Sequence, residues 1–77
     1  MPKLPIIKAK QLIKTLKKFG FFEHRQKGTS HLIMAHSDNR RASIPIHHGK
    51  DIPSGTLKGI LKGLEISTEE FIAFLKK

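Results

Sequence analysis

Two helical stripes enclose a stretch of alternating apolar residues in a chain of only 77 residues, and this switch of period constrains the fold more than any other feature. From Lys8 the apolar residues fall at Ala9, Leu12, Ile13 and Leu16, the spacing of one buried helical face. Gly20 then stops the helix, as a left-handed C-cap glycine does. Phe21 to Lys27 alternates loosely and reads as a strand. Gly28 and Thr29 turn the chain into a second strand, Ser30 to His36, and Ser37-Asp38-Asn39-Arg40 turns it into a third, Arg41 to Ile46. After Pro53 the helical spacing returns at Leu57, Ile60, Leu61 and Leu64, and Gly63 breaks that helix. Ser67-Thr68-Glu69-Glu70 is a capping box, followed by Phe71, Phe74 and Leu75 as the apolar face of a short last helix. Pro2 and Pro5 keep the start extended. The reading is an α+β domain of order α-β-β-β-α-α, with the strands in a three-stranded antiparallel meander.

Burial sets the register of the second hairpin. Leu32 and Met34 share one face of their strand, and Ala42, Ile44 and Ile46 share one face of the next. A loop with an odd number of residues, such as Ser37-Asp38-Asn39 with Asn39 in the left-handed region, joins the two sets into one core. The other face then carries His31, Ile33, Ala35, Ser43, Pro45 and His47, with both histidines wet. An even turn centred on Asp38-Asn39 would bury His31 instead, and the odd loop is preferred for that reason. Of the phenylalanines, Phe19, Phe71 and Phe74 lie at helical spacing and belong to the core, and one of Phe21 and Phe22 must point inward.

Fifteen Lys and Arg against six Asp and Glu give a formal charge of +9, and on so small a body that makes a polyanion the natural partner. The basic residues are spread over the elements, unlike a disordered basic arm. Lys14, Lys18, Lys76 and Lys77 read as solvated helix faces, whereas Arg25, Lys27 and Lys50 flank histidines and read as phosphate contacts. Without cysteine there is neither a disulfide framework nor a thiolate metal site, and no apolar run is long enough to span a bilayer. The expectation is one soluble, cytoplasmic domain over residues 1–77, with no membrane role.

Histidine takes and returns protons near neutrality, so the five in this chain carry most of its chemical promise. His31 follows the small, hydrogen-bonding Gly28-Thr29-Ser30, and His47 and His48 precede Gly49-Lys50-Asp51-Ile52-Pro53-Ser54-Gly55-Thr56-Leu57. Adjacent His47 and His48 point to opposite sides of an extended strand, and His24, His31 and His36 match no familiar ligand spacing, so neither a metal nor another cofactor is expected. Asp51 is expected to cap the following helix. Ser54 and Thr56, at that helix's N-terminus, either shape the loop or hold a phosphate beside Lys50.

These two segments resemble the HicA family, the small mRNA-cleaving toxins of toxin-antitoxin pairs, over nearly the whole chain and most densely at the second segment. The resemblance implies a fold similar to the double-stranded RNA-binding domain, with helices on one face of the sheet. It also implies an endoribonuclease of mRNA-interferase type, a catalytic role for His31, and restraint by an acidic HicB-like antitoxin. In such a metal-independent reaction an imidazole takes the proton of a ribose 2′-hydroxyl, which attacks the adjacent phosphorus. His47 is the candidate for a second proton-transfer group, and Arg25, Lys27, Ser30 and Lys50 are the candidate RNA-binding residues. Thr29 departs from the family's Gly-Ser-His pattern. A non-catalytic RNA-binding module of the same fold is the alternative, and a basic DNA-binding or assembly protein stands behind both, with no recognition-helix signature.

Overall fold

The structure is a computed structural model and describes residues 3–28, 30–46 and 49–77. Its elements run α1 (Ala9–Lys18), β1 (Phe22–Lys27), β2 (His31–Ala35), β3 (Arg41–Pro45), α2 (Ser54–Gly63) and α3 (Thr68–Leu75). This is the α+β order expected from the periodicity, with the three-stranded antiparallel sheet β1-β2-β3 packed on the helices. None of the described helices is long and apolar enough to cross a membrane.

The helix α1 exists because Leu12 and Leu16 have a core to enter, both being fully buried. It ends as its glycine requires. Gly20 adopts φ 98°, its N–H reaches the carbonyl of Lys17 at 3.0 Å, and the N–H of Phe21 reaches that of Leu16 at 3.1 Å, the paired bonds of a Schellman stop. A Cβ at this position would lie 3.0 Å from His36 Nε2. Gly20→Ala should therefore cost about 1–2 kcal/mol from the backbone alone, and a thermal melt should move down by several degrees. An unchanged melting temperature would mean that the stop does not depend on glycine.

The hairpin between β2 and β3 has the odd loop that burial demanded. His36 N–H donates to Arg40 O and Asn39 N–H to His36 O, each at 2.9 Å, leaving Ser37-Asp38-Asn39 as the loop with Asn39 at φ 76°. Leu32 then faces Ile44, and Met34 faces Ala42, so the apolar residues of both strands point at the helices. They meet Leu57, Leu61, Leu64 and Phe71 in one core. The turn is braced by Arg40, whose guanidinium bonds Asp38 at 2.8 Å and Leu64 O at 2.7 Å and lies 5.0 Å from the centre of the Phe21 ring. Desolvation works against the Asp38 carboxylate, but the backbone N–H of Arg40, its guanidinium and His36 together outweigh it and hold the group below the usual carboxylate range. His36 is a structural histidine. Its Nε2 lies 3.2 Å from Phe19 O, its Nδ1 accepts from Asp38 N–H at 3.2 Å, and its ring stands edge-on to Phe21.

Three expectations about helix ends and lysines need correction. Asp51 does not cap α2, whose N-cap is Pro53 with no side-chain cap bond. Two extended residues, Ile52 and Pro53, separate its carboxylate from the helix, and it pairs with Lys8 Nζ at 3.3 Å instead. A β-bridge between Lys8 and Asp51, and Ile52 N–H on Ile7 O at 2.8 Å, pin that loop to the N-terminal segment. Gly63 does not stop α2 either. It is the last helical residue, and the left-handed position falls on Glu65 at φ 60°, with Ile66 N–H returning to Leu61 O. Lys18, expected to be solvated, donates to Phe74 O at 3.1 Å and Lys77 O at 2.6 Å, covering carbonyls at the end of α3. The capping box is present as read, with Ser67 Oγ accepting from Glu70 N–H and Glu70 Oε1 accepting from Ser67 N–H.

Candidate functional site

With the helices gathered on one side, the other face of the sheet is open, and the strand register arranges it in three cross-strand rows. The first row is Phe22, Ala35 and Arg41; the second is Arg25, Ile33 and Ser43; the third is Lys27, His31 and Pro45. A β-bulge between Glu23 and Arg25 inserts His24 as an unpaired residue. The consequence is visible in the surface. His24 and Arg25 together line a shallow depression of 260 Å³ with Ile33, Arg41 and Ser43.

His31 opens β2 and is exposed. Ser30 comes with it, because Ser30 O accepts from Ile46 N–H at 2.7 Å and so continues the β2–β3 ladder one step beyond the strands. Its hydroxyl lies 3.2 Å from His31 Nδ1. A hydroxyl both donates and accepts, so Ser30 serves either neutral tautomer of the imidazole and, by accepting, the protonated ring as well. Ser30 meets Nδ1, and among the described residues no hydrogen bond engages Nε2. That is the arrangement a general base or acid needs.

The other expected site residues fall differently. Arg25 is exposed on the same face as His31, one row away. Lys27 pairs with His31 along the backbone, and its side chain lies outside the described residues, as do Thr29 and His47. The proximity expected between His31 and His47 therefore has no described geometry. Lys50 is exposed in the loop that Asp51 fastens to Lys8, and among the described residues no hydrogen bond joins it to His31. Ser54 and Thr56 are exposed at the first turn of α2.

Sequence reasoning passed over Phe22, His24 and Arg41 as members of this face. Phe21 is the inward phenylalanine and Phe22 the outward one, 48% exposed. Arg41, read as the start of the third strand but not as a member of this face, opens β3 beside Ala35. The signal that could have placed Arg41 and Phe22 was the same parity that placed His31. The bulge at His24 has no such signal. A second hollow, 560 Å³, lies between α1 and the loop after β3, with Lys8, Lys10, Lys14 and Lys17 around Ala9 and Ile13. Among the described residues, none of the expected site residues lines it. No group of three His, Asp or Glu among the described residues could hold a metal ion.

The fold and the open face define a class: a small α+β domain whose three-stranded antiparallel sheet packs on its helices and presents an exposed histidine at the start of its middle strand. The particular family is shown by comparison. Residues 9–66 match the family model described as the HicA toxin of bacterial toxin-antitoxin, and the chain belongs to the HicA toxin family. No curated protein matches it.

Proposed function

We propose that this protein is a metal-independent endoribonuclease whose general base is His31, acting on RNA that lies across the open sheet face. The observation that carries the reading is the exposed imidazole of His31 with Ser30 Oγ on its Nδ1 at 3.2 Å, in a chain that belongs to the HicA family. Nε2 of His31 takes the proton of a ribose 2′-hydroxyl as that oxygen attacks the neighbouring phosphorus. The bond from phosphorus to the 5′-oxygen breaks, leaving a 2′,3′-cyclic phosphate on one fragment, and the departing 5′-oxygen takes up a proton. His47, two residues beyond Pro45, is the candidate donor of that proton. With Nδ1–H donating to Ser30 Oγ, the ring is held in the tautomer that leaves Nε2 basic. Arg25, Lys27 and Lys50 bind phosphate and offset the charge that develops on phosphorus. DNA lacks the nucleophile and is not a substrate.

Family membership implies a HicB-like partner. For a chain of charge +9, an acidic protein that covers the His31 face combines steric exclusion with fast, electrostatically steered association.

The test is incubation with single-stranded RNA in excess EDTA. Fragments ending in cyclic phosphate are expected, while DNA and 2′-O-methyl RNA of the same sequence stay intact. Cleavage that stops with EDTA, or that leaves 3′-hydroxyl ends, would sink the mechanism. Binding without any cleavage would favour the non-catalytic RNA-binding module.

A further inference from the structure

We infer that the far end of the open sheet face is a base-binding subsite, in which Phe22 stacks one base of the RNA strand and Arg41 holds the adjoining phosphate; the inference rests on the reading of this face as an RNA surface. Phe22 is one of only two large apolar side chains described as exposed, the other being Ile6. Unlike Ile6, it stands in an organised row. Across the strands its neighbour is Ala35, and the neighbour of Ala35 is Arg41. Ala35 sets a small residue between an aromatic ring and a guanidinium; at only 4% exposed it is closed over by its neighbours although it faces away from the core, so what the row offers a ligand is the exposed Phe22 ring and the Arg41 guanidinium above a shallow notch.

The chemistry around the notch suits a nucleobase with its phosphate. An aromatic face stacks any base, a guanidinium both stacks and binds phosphate oxygens, and neither reads sequence strongly. The His24 ring stands at 70° to that of Phe22, with centroids 6.5 Å apart, so the imidazole edge borders the platform. The bulge that brings His24 to this position also sends Arg25 into the depression between the notch and His31. From the Phe22 row to the His31 row is four residues of strand, about 13 Å. The rows themselves are two residues apart, a step that an extended single strand can follow nucleotide by nucleotide. The stacked base is therefore two nucleotides from the bond that breaks beside His31.

The test uses short 2′-O-methyl RNA carrying 2-aminopurine at each position in turn. Such RNA cannot be cut by the proposed chemistry, so binding is read whether or not His31 is catalytic. Wild-type protein should quench the fluorescence most at one position, two nucleotides from the cleavage site mapped on unmodified RNA of the same sequence. Phe22→Ala should abolish that quenching and weaken binding on the order of tenfold, whereas Phe22→Tyr should retain both. Arg41→Ala should flatten the salt dependence of binding by about 0.7 in log–log slope. Ile6→Ala serves as the control for loss of an exposed apolar side chain and should change neither quenching nor affinity. Equal quenching by wild type and Phe22→Ala, or an equal loss in Ile6→Ala, would overturn the subsite while leaving the proposed nuclease standing. A wild-type protein that binds no RNA would overturn both.

Discussion

Replacing His31 with Ala is expected to reduce RNA cleavage by about 10²–10⁴-fold while leaving the protein folded and able to bind RNA. The two halves of this expectation have separate physical grounds. The loss follows from removing an exposed imidazole at the start of β2 that Ser30 steadies through Nδ1. The retained fold follows from exposure, because His31 faces away from the core and its only side-chain partner among the described residues is the neighbouring Ser30. A surface change of this kind usually shifts stability by no more than about 0.5 kcal/mol. Affinity persists because it comes mainly from phosphate contacts by basic residues elsewhere on the face. Cleavage measured beside a thermal melt decides the matter. Wild-type cleavage by His31→Ala would remove the residue from the mechanism, and a collapsed melt would reassign it to structure.

His31 and His36 show why position on a face matters more than residue type. Both lie on or just beyond β2, yet their parity differs by one. His36 turns to the helix side, where both ring nitrogens meet the chain at Phe19 O and Asp38 N–H, and it has nothing left to offer a substrate. His31 turns outward and, among the described residues, engages one nitrogen only. The difference is geometric.

That parity is also what made much of the molecule legible from its residues. The apolar periods place α1, the three strands and the later helices, and the need to unite Leu32 and Met34 with Ile44 sets the three-residue loop, down to the left-handed Asn39. Capping chemistry at Ser67 and Glu70 is local and reads directly. What failed to read was settled by partners distant in sequence. Asp51 looks like a helix cap until Lys8, 43 residues earlier, is brought beside it. Lys18 looks solvated until the end of α3 arrives 56 residues later. At the site, the residue type and flanking charge point to His31, but the β-bulge that sets His24 and Arg25 in one depression is a departure from periodicity. No repeat in the residues announces it.

Phe71→Ala is expected to bring the domain close to unfolding, although Phe71 lies beyond the stretch that matches the family. The side chain is completely buried and belongs to the same core as Leu12, Leu16, Met34 and Ile44. Truncating a buried phenylalanine costs about 3–5 kcal/mol through lost transfer energy and the cavity left behind. A domain of this length has on the order of 4–12 kcal/mol in total, so the loss takes a large share and should lower the melting temperature by at least about 12 °C. The rest of α3 cannot replace that contact. Phe74 stacks on Phe19 at 4.0 Å between centroids but stays partly exposed, and the Lys18 bonds to its carbonyl and to Lys77 O lie at the surface, where such interactions contribute little. Because α3 packs on α1 and α2, and those helices in turn pack on β3, loosening α3 weakens the support of the sheet that holds His31, and cleavage should fall in step with the folded fraction. Thermal and urea melts check the prediction. A Phe71→Ala protein that melts within a few degrees of wild type would show that α1, α2 and the sheet carry the core without α3.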